Sequence, residues 1–236
     1  MEAKSEQSGT GLRPQKSDSN RNEMVVKLTE LADGIISGRL KSVCDLTEKA
    51  LAHGLSPRKI LDEGLIAGMN VIGERFRKNE IYVPEVLISA RAMKAGLEIL
   101  RPHLTKTGVK PHGKVILGTV KGDLHDIGKN LVGMMLEGAG FKIVDLGVNV
   151  SPEKFASAVE RETPDVLGLS ALLTTTMIGM KAVIDFLTEK QLRERVRIII
   201  GGAPITQHYC DEIGADGYAP DSSTAVGVVR KLMGLA

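Results

Sequence analysis

The chain has 236 residues, enough to bury a hydrophobic core without disulfides and enough for one large domain or two small ones. Its 31 Lys and Arg residues against 29 Asp and Glu leave a net charge of only +2, which excludes the strongly basic composition typical of nucleic-acid-binding domains. Aromatic residues make up 3 % with no Trp, so base stacking on aromatic side chains is excluded as well.

The first 21 residues are polar and contain no apolar segment of the kind that marks a secretion signal. We therefore expect a disordered tail over 1–21. The two cysteines, Cys44 and Cys210, are far apart in the sequence and form no C-x-x-C motif, which favours a reducing cytoplasm. No apolar run reaches the length of a membrane span, so we expect no membrane association.

Residues 22–105 carry apolar side chains at helical spacing, in sets separated by short breaks. Pro57 and Pro84 follow two of these breaks and suit the first turn of a helix. The segment predicts four helices with short connections, which is typical of an antiparallel bundle. We interpret 22–105 as one helical domain and 106–113, which contains Gly108 and Pro111, as a linker.

From residue 114 onward, short apolar segments alternate with helical ones, which predicts a parallel sheet covered by helices on both faces. Five such units over 114–236 predict a doubly wound, flavodoxin-like α/β domain. The strand segments are 115–120, 142–147, 166–171, 197–202 and a weaker one at 217–220. The helical segments are about 127–139, 152–162, 176–190, 204–213 and 223–234.

In this fold, ligands bind at the carboxyl ends of the strands, at the switch point between the first and third strands. The segment that follows the first strand is G-D-L-H-D-I-G-K-N, residues 122–130. Asp123 can accept a hydrogen bond from one nitrogen of His125 and leave the other free to bind a metal or a proton. Gly128 permits close approach to the backbone. From these residues alone, a helix-capping aspartate beside a surface histidine is an equally good interpretation.

Three further motifs stand in order after this one: S-A-L-L-T-T-T at 170–176, G-G-A-P at 201–204 and A-D-G-Y-A at 215–219. Together they resemble the cobalamin-binding domain of methionine synthase and of the corrinoid proteins of methyltransferase systems. In the helical half, G-L-I-A-G-M-N-V-I-G-E-R-F and Y-V-P-E-V-L-I-S-A-R-A-M-K resemble the helical cap domain of the same families. The resemblance covers about residues 25–236.

The resemblance implies a bound cobalamin whose own benzimidazole has left the cobalt and whose nucleotide tail enters the sheet domain. His125 would take the lower axial position on cobalt, with Asp123 as its hydrogen-bond partner. Thr176 stands where methionine synthase has a serine, and it would complete a proton relay with Asp123. Release of the imidazole from cobalt raises its proton affinity, so such a relay would couple ligand release to proton uptake.

The resemblance also assigns the other cofactor-binding residues, and each of them has a plainer alternative. Phe76, Val83, Val86 and Leu87 would form an apolar lid over the cobalt, although their spacing by itself favours the core of the bundle. Hydroxyl groups after the third strand would face the nucleotide tail, although the threonines there equally suit a helix start. Glycines at the ends of the fourth and fifth strands would leave room for a flat ring. The remaining expected cofactor contacts are Asp126, Ile127, Gly128, Ser170, Leu172, Thr174, Gly201, Gly202, Gly217 and Tyr218.

The function that the resemblance implies is a corrinoid methyl carrier without catalytic activity of its own. A substrate-specific methyltransferase would methylate the cobalamin, a second methyltransferase would pass the methyl group to tetrahydrofolate or a thiol, and a reductive activator would restore the cobalt. Three alternatives stay open: the cobalamin-binding subunit of a mutase, a cobalamin-dependent transcription regulator, and a flavin or response-regulator domain of the same topology. The helical cap argues against a mutase subunit, and the near-neutral charge argues against a regulator.

Overall fold

The structure of the protein, a computed structural model, describes residues 28–235, so the tail expected at 1–21 lies outside the described residues. The N-terminal half is helical where the structure describes it, and the four helices found there confirm the prediction from apolar spacing. The described part of α1 is 28–36, α2 is Leu40–Ala52, α3 runs through 57–77, and α4 is Val83–Lys106.

Helix α3 changes its hydrogen-bond pattern along its length. It is α-helical over Pro57–Lys59, π-helical over Ile60–Ile66 and α-helical again over Ala67–Arg77. The Ser56 hydroxyl caps its first turn by accepting a hydrogen bond from the Lys59 amide at 3.2 Å. A π segment inside an α-helix often lies near a functional region, and the end of α3 reaches the candidate site described below.

Two glycines one helical turn apart let α3 pack closely on α1. A Cβ atom at Gly68 would lie 2.7 Å from the carbonyl oxygen of Ala32, and one at Gly64 would lie 2.6 Å from a Leu31 methyl group. Backbone that approaches this closely leaves no room for a larger residue. The G-L-I-A-G segment therefore has a packing role in the helical half.

The C-terminal half is an α/β sheet domain. Its five strands are all parallel and lie in the order β2-β1-β3-β4-β5, which confirms the doubly wound, flavodoxin-like topology. The switch point lies between β1 and β3, as expected. The strands are β1 (Lys114–Thr119), β2 (Lys142–Asp145), β3 (Val166–Ser170), β4 (Arg197–Gly201) and β5 (Gly217–Ala219).

Helices cover both faces of this sheet. Side chains of α5 and α9 share one hydrophobic cluster, whereas those of α6, α7 and α8 share the other. The helices are α5 (Ile127–Gly138), α6 (Pro152–Glu162), α7 (Thr174–Glu189), α8 (Gln207–Ile213) and α9 (Ser222–Leu232), with a short 3₁₀ turn at Arg193–Arg195. They correspond to the predicted helical segments.

The helical half packs against the face of the sheet domain that α5 and α9 cover. One continuous hydrophobic cluster joins residues of both halves, including Ile72 and Met135. Polar contacts add to it: the Ser223 hydroxyl donates to the Gly73 carbonyl oxygen at 2.8 Å, and Arg230 donates to Asn70 at 3.2 Å. Across residues 28–235, no helix is both long and apolar enough to cross a membrane.

We expect Gly68→Ala to destabilise the protein by about 1–3 kcal/mol, because the added Cβ atom meets the backbone of α1. Gly227→Ala is the matched control, since Gly227 lies inside α9 and its Cβ atom would meet nothing within 4 Å. That variant should be stabilised by up to about 1 kcal/mol, because alanine favours helix over glycine. Urea unfolding of the three proteins measures both effects, and equal shifts would refute the close packing of α3 on α1.

Candidate functional site

The segment between β1 and α5 forms the candidate site at the carboxyl edge of the sheet. Its aspartate, Asp123, is only 1 % exposed and accepts four hydrogen bonds. One carboxylate oxygen accepts from Nδ1 of His125 at 2.7 Å and from the His125 amide at 3.0 Å. The other oxygen accepts from the Leu172 amide at 2.7 Å and from the Thr176 hydroxyl at 2.6 Å. All four partners are donors, as an ionised carboxylate requires.

Burial of Asp123 favours the neutral acid, but the hydrogen bonds oppose this effect and exceed it. The Thr176 hydroxyl, the His125 and Leu172 amides and the His125 imidazole together hold the pKa of Asp123 far below its usual range. The carboxylate is therefore charged at neutral pH and can only accept. It follows that Nδ1 of His125 is the donor in this contact, which leaves Nε2 as the ring nitrogen that can bind another partner.

The His125 ring is half exposed, whereas its main chain is held firmly. Its amide is bound by Asp123, and its carbonyl oxygen accepts a hydrogen bond from the buried Thr119 hydroxyl at 2.9 Å. Within residues 28–235, Nε2 of His125 has no hydrogen-bond partner. The His125 side chain is 51 % exposed. The arrangement fixes the ring at one nitrogen and presents the other to whatever binds there.

Asn149 provides a second support that the sequence analysis did not identify. Its side-chain oxygen accepts from the Gly122 backbone amide at 2.8 Å, and its backbone amide donates to the Asp123 backbone carbonyl oxygen at 3.0 Å. Asn149 adopts a φ of 53°, in the left-handed region that asparagine tolerates better than most residues. Thr119 was not predicted either. A threonine at the end of an otherwise apolar buried strand could have indicated a hydroxyl that supports the following loop.

A cavity of about 610 Å³ opens beside His125 and extends over the α5 and α9 face of the sheet. Small residues, including Gly168, Ala219 and Ala225, form part of its wall. The large apolar side chains of Leu124 and Ile127 are mostly exposed at its rim. Nine of the expected cofactor contacts line this cavity: Phe76, His125, Asp126, Ile127, Gly128, Ser170, Leu172, Gly201 and Gly202.

The other expected contacts lie elsewhere. Thr174 is exposed at the start of α7, and Thr176 faces Asp123 from the first turn of that helix. Gly217 packs against Val228 of α9, and Tyr218 packs on the opposite face of the sheet. Of the four expected lid residues only Phe76 reaches the cavity; the other three, Val83, Val86 and Leu87, pack in or against the hydrophobic core. The roles expected for these residues stay predictions.

The glycines at the cavity are glycine for different structural reasons. A Cβ atom at Gly202 would lie 1.8 Å from the Ala171 carbonyl oxygen, and one at Gly201 would lie 2.9 Å from that of Ala219. Close neighbouring backbone therefore requires both glycines. A Cβ atom at Gly128, in contrast, would meet nothing within 4 Å. The space beside Gly128 is open, as a ligand that lies against the start of α5 would need.

The donor set around His125 does not form a metal site by itself. Within the described part of the chain, no three His, Cys, Asp or Glu side chains converge to hold a metal ion. His125 offers one nitrogen, and its aspartate partner is occupied by hydrogen bonds. A metal bound here would need its remaining ligands from a cofactor that brings them along.

Comparison with known proteins agrees with this geometry. Residues 27–101 and 113–227 each match a family described as a B12 binding domain. The chain is 42 % identical to a corrinoid protein of Desulfitobacterium hafniense strain Y51 over 210 residues, covering 88 % of this chain and 97 % of that protein. It is also 42 % identical to the dimethylamine corrinoid protein of Methanosarcina barkeri over 208 residues, covering 87 % and 97 %.

Two solved structures share the fold over most of the chain. A cobalamin-binding protein from Desulfitobacterium hafniense DCB-2 superposes with a TM-score of 0.74 at 28 % identity and covers 87 % of this chain and 98 % of that one. A chain of the methanol:cobalamin methyltransferase complex from Methanosarcina barkeri superposes with a TM-score of 0.79 at 29 % identity, covering 97 % and 87 %.

We expect Asp123→Asn to lower the free energy of unfolding at neutral pH by at least about 2 kcal/mol, because an amide cannot accept all four hydrogen bonds. The folded-state pKa of Asp123 is depressed, so its contribution is present above the unfolded pKa of about 4 and is lost as the pH falls through the folded value. The difference between wild type and variant should therefore shrink below about pH 4.

Asp185→Asn serves as the control for this experiment, since Asp185 is 60 % exposed and, among the described residues, pairs with Lys181 on the same helix. Its effect should stay within about 0.5 kcal/mol. Urea unfolding between about pH 7 and pH 3.5 gives both comparisons. A difference for Asp123→Asn that grows toward acid would contradict the ionised state assigned to this carboxylate.

Proposed function

The chain belongs to the family of corrinoid proteins built from B12 binding domains, and from that premise we propose that it carries a methyl group on a bound cobalamin with His125 as the lower axial ligand of cobalt. The observation that carries the proposal is the 2.7 Å contact between Nδ1 of His125 and the buried, ionised Asp123. With Nδ1 held by Asp123, Nε2 has no hydrogen-bond partner among residues 28–235 and would be the nitrogen that binds the metal.

The residues around His125 fit a cobalamin. The cofactor itself supplies four ring nitrogens to its cobalt. The protein therefore needs to add only one nitrogen, which His125 can provide. Exposed Leu124 and Ile127 offer apolar surface to a large flat ring, and the open space at Gly128 lets it approach the start of α5. The adjoining cavity of about 610 Å³ offers room for a nucleotide tail.

When bound, the cobalt of cobalamin supplies a centre that can accept and give up a methyl group. The chain's own residues would orient the imidazole and stabilise it when it takes up a proton. Asp123 fixes the ring through Nδ1, and a proton taken up at a free Nε2 is stabilised by the carboxylate 2.7 Å from the other nitrogen. The Thr176 hydroxyl keeps Asp123 charged by donating to its second oxygen at 2.6 Å.

The helical half would act as a lid. Phe76, near the end of α3, lines the cavity and can shield it from water. Val83, Val86 and Leu87 belong to or pack against the same hydrophobic cluster as Phe76. We propose the division into a tail at 1–21, a cap at 22–105, a linker at 106–113 and a cobalamin domain at 114–236. In support, α4 ends at Lys106, β1 begins at Lys114, and neither helix nor strand lies between them. Such a linker would permit the cap to move aside.

The partners we propose are a substrate-specific methyltransferase, a second methyltransferase that acts on tetrahydrofolate or a thiol, and a reductive activator. The similar solved structure from a methanol:cobalamin methyltransferase complex supports the first of these, as do the dimethylamine corrinoid relatives. We place the protein in the cytoplasm because both cysteines, Cys44 and Cys210, are free thiols. The match of the helical half, 27–101, to a B12 binding domain supports its role as the cap, and by resemblance this cap favours methyl transfer over the mutase alternative.

We expect His125→Ala to bind methylcobalamin with an altered absorption spectrum, because the imidazole ligand is lost. Loss of the group that hydrogen-bonds a metal ligand typically costs about 10–100-fold in activity. Loss of the ligand itself should cost at least as much, so we expect methyl transfer to the reduced cofactor to fall by at least about 10–100-fold. The assay uses protein reconstituted with hydroxocobalamin under reducing conditions, with the methyltransferases for methylamines and for methanol tried first.

His208→Ala is the matched control, because the His208 side chain is 91 % exposed on α8 and lies outside the cavity. It should leave the spectrum and the transfer rate as in wild type. An unchanged spectrum for His125→Ala would show that His125 is not the ligand. Failure of the wild-type chain to retain any corrinoid under oxidising or reducing conditions would refute the carrier function itself.

A further inference from the structure

Lys129 is a buried lysine in the first turn of α5, and its side chain is only 3 % exposed. Its ammonium group donates to a carboxylate oxygen of Asp145 at 2.6 Å and to the side-chain oxygen of Asn130 at 2.7 Å. Within residues 28–235, Lys129 and Asp123 are the two charged residues that are buried. His125 lies between them in the sequence, so a buried charge of each sign flanks the candidate cobalt ligand.

A gain in stability does not by itself explain why Lys129 is buried. A buried ammonium group loses its hydration, and its attraction to a carboxylate often does no more than offset that loss. An apolar side chain of similar size in the same place is often neutral or stabilising. Buried ionic groups that add little stability select a single conformation in several proteins. The two acceptors of Lys129 indicate which segments it would hold in place.

The first acceptor, Asp145, connects Lys129 to the loop that follows β2. The second carboxylate oxygen of Asp145 accepts from the Gly147 amide at 2.9 Å. The Gly147 carbonyl oxygen in turn accepts from the amide of Thr119, whose hydroxyl supports the His125 segment, at 3.0 Å. The same loop carries Asn149, which bonds the backbone on the other side of that segment. Lys129 therefore fixes the end of β2 from which two supports of the site extend.

The second acceptor, Asn130, connects Lys129 to the residue that follows His125. The side-chain nitrogen of Asn130 donates to the Asp126 carboxylate at 3.0 Å, and Asp126 directly precedes α5. Because Lys129 occupies the oxygen of the Asn130 amide, the nitrogen of that amide is the group turned towards Asp126. One ammonium group is thus joined to supports on both sides of His125.

We propose that Lys129 is a positioning residue for the cobalt ligand, an inference that rests on the function proposed above. Its ammonium group holds the segment 122–126 between the loop after β2 and the start of α5. A bond to cobalt requires the imidazole nitrogen at one place and angle, so a looser segment forms that bond in fewer molecules. Lys129 also borders the cavity beside His125, and direct contact with the cofactor is the alternative that an experiment must separate.

Hydrogen exchange of the cofactor-free chain provides the first test. In Lys129→Met, the amides of 119–126 should exchange about tenfold faster than in wild type, since hydrogen bonds to a charged group are lost. The amides of β4 and of the later turns of α7 should keep their wild-type rates.

The Lys129→Met chain should still unfold within about 4 °C of the wild-type temperature. Asp145 is 45 % exposed and can be hydrated, and Lys154 still donates to the Leu146 carbonyl oxygen in the loop after β2 at 3.1 Å. Lys181→Met is the matched control, because Lys181 is 54 % exposed and pairs with Asp185 on α7. This variant should leave the exchange of 119–126 unchanged.

The second test uses the chain labelled with ¹⁵N-histidine and loaded with Co(II) cobalamin. Electron paramagnetic resonance then measures the fraction of molecules whose cobalt carries a histidine nitrogen. This fraction should fall in Lys129→Met, and methyl transfer should fall with it by about tenfold. Asp145→Asn and Asn130→Ala each weaken one of the two connections at an exposed residue, so both should give smaller falls of the same kind.

Wild-type exchange of 119–126 in Lys129→Met would overturn the proposal, and a fall in methyl transfer alone would then indicate direct contact with the cofactor. Faster exchange throughout the chain, with a much lower unfolding temperature, would make Lys129 a structural residue and overturn it as well. If wild type shows no histidine nitrogen on cobalt, the ligand role of His125 fails and the role of Lys129 fails with it. If that nitrogen is present and its fraction is unchanged in Lys129→Met, the carrier function stands and only the role of Lys129 fails.

Discussion

The site depends on keeping one negative charge buried. Asp123 lies almost entirely out of solvent, and a carboxylate there stays ionised only if protein donors replace the water that it has lost. Its four donors come from three places: its own loop, the Leu172 amide that follows β3, and the first turn of α7. The same hydrogen bonds that stabilise the charge therefore also join the segments on both sides of the switch point and orient the imidazole of His125.

The fold supplies the conditions for this arrangement. Parallel pairing of β1 with β3 brings their carboxyl ends together, so residues almost fifty positions apart can share one carboxylate. The face of the sheet covered by α5 and α9 keeps an open cavity beside His125, and the helical half adds Phe76 to its wall. Close packing within that half, through Gly64 and Gly68, holds α3 against α1.

Much of this architecture could be predicted from the sequence, because it follows from local pattern. Apolar periodicity predicted the four helices and five strands, and their alternation predicted the sheet topology. The pairing of Asp123 with His125 was also predictable, since two residues of separation already bring the two side chains within reach. These features depend on residues that are near one another along the chain.

Features made by distant segments could not be predicted in the same way. Thr119 and Asn149 support the loop through contacts that depend on how a strand end and a neighbouring loop meet in space. Periodicity favoured a core position for Val86 and only the resemblance assigned it to a lid; the structure buries it completely in the core. The Gly202 position is explained by the nearby Ala171 carbonyl oxygen, which no motif reveals.

The central claim, that Nε2 of His125 binds cobalt, is tested most directly by electron paramagnetic resonance of the chain loaded with cobalamin in its Co(II) form. A nitrogen on the lower axis splits each cobalt line, into three for ¹⁴N and into two for ¹⁵N. Protein grown with ¹⁵N-histidine and loaded with unlabelled cofactor should show doublets where unlabelled protein shows triplets. Triplets in both samples would mean that the cofactor's own benzimidazole still holds the cobalt, and would contradict the account.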